Sequence, residues 1–390
     1  MSSFLVVVSI LFYSVILFFM RVKEINSAER TLSNSDQVHF MWVLYLFSFF
    51  KMFLIIMPVI VPFFQSLGMS MTQVMQAQAV FALTVAAMEI PTGYIADRFG
   101  KRLSIFFGAL LYAGCFTGLT FVDSFFGILI YEVMIGIAMG FVNGADISLI
   151  YENFKGKTTQ LDKNVPVSVA FANYQLAVTL GESTAAVLSG FLVSYGLRSV
   201  VLAQAIFGWM PVVLSLLTFK FLAEPTASLK KDTHKIGDLK IFLKSVLQKE
   251  SLAIRLLLAL VGMSLSSFIA VWLLQKYWEV NGIGYEYFGL LWAGLNLSTG
   301  LIGKWNRYIL NQVGAKGVLW LIGGLPVVSY LALAFVPVSI GLVFCFGFYL
   351  SRGLTQVFLK DHYNRVIPSE FRATANSLPS YLCLQSLDHV

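Results

Sequence analysis

The chain has 390 residues, of which 58% are hydrophobic and only 12% charged, and its mean hydropathy is +0.78. A soluble domain carries ~25% charged residues, so this composition excludes an ordinary water-soluble fold. It predicts an all-α polytopic membrane protein, in which each span needs ~20 apolar residues. The net charge of +7 does not signal nucleic-acid binding, because the basic residues are spread over short loops instead of being gathered on one face. Cys115, Cys345 and Cys383 lie singly in apolar segments and read as small core hydrophobes, without metal spacing or a disulfide framework.

Residues 3–20 form an apolar run of about the minimum spanning length, with no basic flank before it and no small-residue cleavage site after it, so it reads as an extra N-terminal span and not a signal peptide. A polar tail completes segment 1–40. Six spans are then expected, at 41–64, 73–96, 101–121, 124–151, 168–194 and 199–221, making an N-terminal bundle over 41–221. The stretch 222–251 is the one long polar segment. Within it Ile236, Leu239, Phe242, Val246 and Leu247 recur at helical spacing between lysines, which predicts an amphipathic helix lying along the membrane face. A second bundle over 252–390 begins with spans at 252–277, 284–303, 315–335 and 338–359, followed by a stub from about residue 372.

Orientation follows from charge. If segments 21–40, 97–102, 152–163, 220–255, 304–316 and 360–372 are cytoplasmic, they hold 23 of the 27 Lys and Arg residues, whereas the opposite loops hold only Arg198 and Lys276. That split satisfies the positive-inside rule. Trp272, Tyr277 and Trp278 then fall at the outer end of the seventh span and read as part of an interfacial aromatic belt.

The stretch Gly93-Tyr-Ile-Ala-Asp97-Arg98-Phe-Gly100-Lys101-Arg102 is a short charged turn wedged between two spans. Close packing at Gly93 would leave room for Asp97 one helical turn on. The stretch closely resembles the loop between helices 2 and 3 of the major facilitator superfamily, G-x-x-x-D-[RK]-x-G-[RK]-[RK], with every fixed position met. Glu89-Ile-Pro-Thr-Gly93 resembles the entry to that loop, Glu224-Pro225 the acidic-Pro pair after helix 6, and Ile367-Pro-Ser-Glu-Phe-Arg372 the start of helix 11. The resemblance covers roughly residues 41–380. It implies two pseudo-symmetric six-helix bundles with a substrate site between them near the midplane. A weak internal repeat agrees: Thr92-Gly93 recurs as Thr299-Gly300, and Asn143-Gly144 as Arg352-Gly353. In the second copy of the loop the place of Asp97 is taken by Lys304. Drug-efflux members of the family are the branch this chain is most like, with degraded motifs. Their helix 4 Arg is replaced by Glu132, and their helix 5 Gly-Pro pair is absent from the Gly181–Gly190 segment.

Ionisable groups inside spans cost ~3 kcal/mol on insertion scales and mark functional sites. Lys51, Glu89, Glu132, Asp146, Glu182 and Arg352 qualify. Glu132, Gly136, Met139, Asn143 and Asp146 are spaced to share one face of the fourth span, and Tyr349, Arg352 and Gln356 one face of the tenth. By resemblance helices 1, 4, 7 and 10 line a central cavity. These residues would face it, with Lys51 ~15 Å deep and placed to pair with Glu182 or Glu89. Two readings of these charges stand beside each other: fixed ion pairs, or carboxylates that exchange protons as the cavity changes sides. The histidines (His39, His234, His362, His389) lie outside the spans or at the chain end, so any proton coupling falls to carboxylates. The cations could hold an anionic group of the substrate and the carboxylates a cationic one, as a zwitterion or amphiphile would require.

By the same resemblance Asp97 would face the N-terminus of helix 11, where Ser369 and Glu370 read as caps. Arg98, Lys101 and Arg102 would pair with Glu152 and Glu224, latching the cytoplasmic side. Pro379 and the polar end Asp388-His389 suggest that the chain stops within the eleventh span, leaving the second bundle incomplete, and residues 1–19 read as upstream sequence. The functional expectation is a monomeric secondary transporter in a bacterial inner membrane, moving a small molecule outward with protons and no cofactor. The competing expectation is a non-transporting or degenerate relative, either a sensor or an inactive fragment. Nothing in the spans has the spacing of a metal site or catalytic dyad, so an intramembrane enzyme is not expected.

Overall fold

The computed structural model describes residues 34–143, 145–146, 148–149, 167–221 and 251–366. The expected N-terminal span, the amphipathic helix of 222–251, Glu152, Glu224, the start of helix 11 and the chain end lie outside the described residues. So do the side chains of Glu89, Asp97, Arg98 and Lys304.

All regular structure among the described residues is helical. In a bilayer each backbone N–H and C=O must find a partner inside the protein, and a helix supplies most of them locally. The helices are α1 (Asn34–Lys51), α2 (Ile60–Ser66), α3 (Met71–Phe99), α4 (Lys101–Leu119), α5 (Phe125–Val142), α6 (Val167–Leu192), α7 (Leu197–Phe207), α8 (Met210–Phe221), α9 (Ser251–Val280), α10 (Tyr285–Phe335), α11 (Val338–Leu354) and α12 (Lys360–Val366). Among the described residues, eight helical stretches are long and apolar enough to cross a membrane. Two ends of the bundle can be named by their turns. The Gly68 end holds the turns at 67–70, 120–124, 281–284 and 336–337, and the Gly100 end holds those at Gly100 and Gly314.

α3, α4, α6 and α9 match the expected spans to within a few residues. Where the chain departs from them, proline or glycine is nearby. The first span is not one helix: α1 stops at Lys51, and a short 3-10 turn, Met57–Val59, leads into α2. Pro58 has no N–H, and its ring cannot follow a helical carbonyl at Leu54. The sixth span is likewise divided into α7 and α8 at Gly208-Trp209, just before Pro211. The loop expected at 304–316 is nearly absent, because helical structure runs through it and turns at Gly314, with φ 68° and ψ 174°.

The fourth span is also corrected. α5 ends at Val142, and Asn143 is extended with ψ 130°. Asn and Gly are weak helix formers, and the Asn143-Gly144 pair falls at this break. Glu132, Gly136 and Met139 therefore share a helix, whereas Asn143 is exposed at its end and Asp146 lies beyond the interruption.

Core packing differs between the two ends. Towards the Gly68 end, one cluster joins Ile55, Val59 and Phe64 of the first half to Trp278, Phe288 and Phe348 of the second. Towards the Gly100 end the described residues of the halves form separate clusters, one around Phe47, Ile105 and Val212, the other around Leu257, Val318 and Phe358. α6 and α10 bring the halves together through small residues. A side chain at Gly190 would strike the carbonyl of Glu286, and one at Gly289 the carbonyl of Ala186. Close backbone approach of this kind is what holds helices together where lipid is as apolar as the side chains. Gly289→Val should therefore lose about 1–3 kcal/mol through overpacking, read as a lowered unfolding midpoint in detergent. Gly323→Val, where nothing lies within 4 Å, should leave the midpoint near that of the parent.

Candidate substrate cavity

Between the halves lies a cavity of about 470 Å³. The first half lines it from the α1–α2 segment (Met52, Ile56, Ile60), α3 (Gln78, Phe81), α4 (Tyr112, Phe116), α5 (Tyr131, Glu132, Met139) and α6 (Glu182). The second half contributes Phe268 and Trp272 of α9, Trp292 and Asn296 of α10, Tyr349 and Arg352 of α11, and Gln356 in the π-helical turn Thr355–Leu359. Most of this lining is apolar or aromatic, with few polar groups, as in small-molecule sites.

Those polar groups are arranged in two sets. On the first half, Gln78 Nε2 donates to Glu132 Oε1 at 2.7 Å. Glu132 is 3% exposed, and among the described residues no cation lies within ion-pair distance of it. Across the cavity, Glu182 of α6 meets Asn296 of α10. In the amide orientation that satisfies both neighbours, Asn296 Nδ2 donates to Glu182 Oε2 at 3.2 Å and Oδ1 accepts from Trp292 Nε1 at 3.0 Å. Arg352 holds its guanidinium 6.0 Å from the centre of the Tyr349 ring, within the electrostatic reach of Glu182. The Tyr349 hydroxyl is buried and has no hydrogen-bond partner among the described residues.

Glu132, Glu182, Tyr349, Arg352 and Gln356 thus meet in one cavity, as their positions on the spans suggested. Lys51 and Asp146 do not line it. Lys51 Nζ bonds Asp146 Oδ2 at 2.7 Å and the Tyr174 hydroxyl at 3.1 Å, and that hydroxyl donates to Asp146 at 2.7 Å. This corrects the expected partner of Lys51, which is neither Glu182 nor Glu89. The break in α5 carries Asp146 inward towards α1, and Lys51 sits in the last turn of α1, where a helix dipole favours a cation. The aromatic-belt reading is corrected as well: Trp272 and Trp278 are 4% and 0% exposed, and Trp272 faces the cavity. Gln78, Asn296 and Trp292 were missed because the search for functional residues followed charge. A neutral amide in an apolar span was the available signal.

At the Gly100 end, α3 runs to Phe99 and α4 starts at Lys101, so the charged turn collapses onto Gly100, whose φ of 101° suits glycine alone. Arg102 is buried, with its guanidinium 5.9 Å from the Phe40 ring centre. Gly93 has no described atom within 4 Å of where a side chain would begin, so the close packing expected there is not made by the described residues. The helix 11 segment expected beside it lies outside them.

Removing one member of a buried ion pair leaves the other charge uncompensated. Lys51→Met and Asp146→Leu should each cost about 3–5 kcal/mol of stability, measured by chemical denaturation in detergent micelles. The double variant should recover most of that loss, giving a large non-additive coupling.

Comparison with known proteins supplies the family. Residues 41–383 match the model of the Major Facilitator Superfamily. An uncharacterised transporter of this type from Methanocaldococcus jannaschii is 22% identical over 236 residues, which are 59% of this chain and 58% of that protein. The chain therefore spans little more than half the length of that relative. Among solved structures, a bacterial homologue of the human lysosomal transporter Spinster, inward-facing and unoccupied, superimposes with a TM-score of 0.68 at 16% identity, covering 90% of this chain and 80% of its own. A nucleoside transporter does so with 0.70 at 13% identity, covering 88% and 87%. A D-xylose–proton symporter gives 0.63 at 13% identity, covering 91% and 88%. At these identities the structural likeness speaks for the fold, and with the family match over most of the chain it shows that this integral membrane protein belongs to the major facilitator superfamily of transporters.

Proposed function

We propose that the chain is a proton-coupled secondary transporter that exports a small organic solute by alternating access, acting as a monomer in a bacterial inner membrane. The observation that carries this reading is the cavity between two halves whose cores, among the described residues, are joined at the Gly68 end and form separate clusters at the Gly100 end. A substrate site that faces one side at a time needs such an asymmetry. With the positively charged loops taken as cytoplasmic, the Gly100 end faces inward, and in this conformation the cavity is loaded from that side. Export follows the resemblance to the drug-efflux branch.

The solute is an amphiphile with a cationic group and an apolar or aromatic body. Glu132 is a buried carboxylate with an amide as its polar partner and, among the described residues, no cation within ion-pair distance. A ligand ammonium would supply the missing charge, while Phe81, Tyr131 and Trp272 would cover the apolar part. Arg352, which has no carboxylate within 4 Å among the described residues, would take an anionic group where the solute is a zwitterion. Glu132 and Glu182 are the carboxylates placed to exchange protons with the solute. Lys51, Asp146 and Tyr174 are better placed as a structural triad. Asp97, with Arg98, Lys101 and Arg102, retains its proposed role as the cytoplasmic latch.

Flux in proteoliposomes under an imposed pH gradient tests the reading. Glu132→Gln should lower flux of cationic solutes by about 10–100-fold, the equivalent of one charge-assisted contact. Glu182→Gln should weaken the dependence on the gradient. Undiminished, gradient-driven flux in both variants would remove the coupling proposal, and absence of flux from the parent with every solute tried would favour the sensor reading. Asp97→Asn should slow turnover several-fold while leaving solute affinity near that of the parent, and full transport by that variant would remove the latch.

A further inference from the structure

The divided first span leaves backbone groups that the helix itself does not satisfy, and side chains from three other elements reach them. The Tyr112 hydroxyl of α4 donates to the carbonyl of Lys51 at 2.9 Å. Gln204 Oε1 of α7 accepts from the backbone N–H groups of Ile55 at 2.5 Å and Ile56 at 3.4 Å. Both donors of help belong to the first half. The third does not. Gln275 of α9, fully buried in the second half, accepts from the N–H of Val61 at 3.0 Å through Oε1 and donates to the carbonyl of Met57 at 3.0 Å through Nε2. Met57 and Val61 are four residues apart, the pair that an unbroken α-helix would join directly. A primary amide from one half is thus spliced into the helical ladder of the other, 214 and 218 residues away. At the next residue of α9, Lys276 Nζ reaches Gln65 Oε1 at 3.1 Å, a second polar contact across the same seam.

We propose that Gln275 is the residue that clasps the two halves shut at the Gly68 end of the cavity. A neutral amide suits the site, which asks for one acceptor and one donor on the same planar group. The clasp is also reversible by design of its chemistry. While the end is closed, water is excluded, Val61 N–H is held by Gln275, and Met57 C=O takes a hydrogen bond from it beside the 3-10 turn. When the halves part, water enters at that seam and can hydrate all three groups. An apolar contact of equal area would have no such second state. Tyr112 and Gln204, which lie in the same half as the break, maintain the shape of the first span in either conformation.

The test reads closure directly instead of flux. A single cysteine is placed at Ile60, a cavity-lining position, with Cys115, Cys345 and Cys383 replaced by alanine. The full chain is reconstituted in vesicles, and a membrane-impermeant maleimide is applied to the face from which Asp123→Cys, an exposed position at the Gly68 end, is labelled. Gln275→Leu should speed alkylation about tenfold, the population shift expected when two hydrogen bonds are lost. Gln275→Glu keeps donor and acceptor while protonated and loses the donor on ionising, so its rate relative to the parent at the same pH should rise towards that of the Leu variant as pH increases. Gln204→Leu, which disturbs the same span from within its own half, should stay near the parental rate. Parental rates in both folded Gln275 variants would overturn the proposal. So would equal acceleration by Gln204→Leu, which would show general loosening in place of a clasp.

Discussion

The need to satisfy backbone polar groups away from water governs this molecule more than any single contact. Helices meet that need cheaply, which is why almost every described residue is in one. The informative places are those where proline prevents it. Pro58 interrupts the first span, and the carbonyl of Lys51 and the N–H groups of Ile55, Ile56 and Val61 pass to Tyr112, Gln204 and Gln275. Because those side chains come from other spans, a local defect becomes a tertiary connection. The bent segment also presents Met52, Ile56 and Ile60 to the cavity, so the interruption shapes the site as well as the packing.

Charge inside the bundle is divided by the same logic. Lys51, Asp146 and Tyr174 satisfy one another in a buried triad, an arrangement that resists change because each loss strands a charge. Glu132 and Glu182 are different. Each has an amide neighbour, Gln78 or Asn296, and borders open volume. An amide can donate to a carboxylate without neutralising it, so these groups keep the capacity to meet a ligand or a proton. The distinction between structural and functional charge therefore lies in the partner, and not in depth or residue type.

Asymmetry between the ends supplies the remaining element. α6 and α10 approach so closely at Gly190 and Gly289 that backbone meets backbone, and the shared core continues from there to Trp278 and Phe288. Towards the Gly100 end the described residues of each half form their own cluster. The clasp proposed at Gln275 stands at the joined end.

Much of this was legible in the residues alone. Composition required a helical membrane protein, the loop at Gly93–Arg102 pointed to the family, and the ionisable residues Glu132, Glu182 and Arg352 stood out because charge in an apolar span is costly. The charged turn was placed correctly, although its length, a single glycine, became clear only from the backbone. Two kinds of feature escaped. Partner choice did: Lys51 could be seen to need a carboxylate, but the break after Val142 decides which one comes near. Neutral amides did too, since Gln78, Gln275 and Asn296 carry no charge to mark them against their apolar neighbours. The sequence by itself determined the class, the approximate place of several spans and the cost of each buried charge, because these depend on local composition and transfer energies. Only the tertiary structure decided which polar groups satisfy one another and which are left facing the cavity, because that depends on distances between segments as far apart in the chain as Met57 and Gln275.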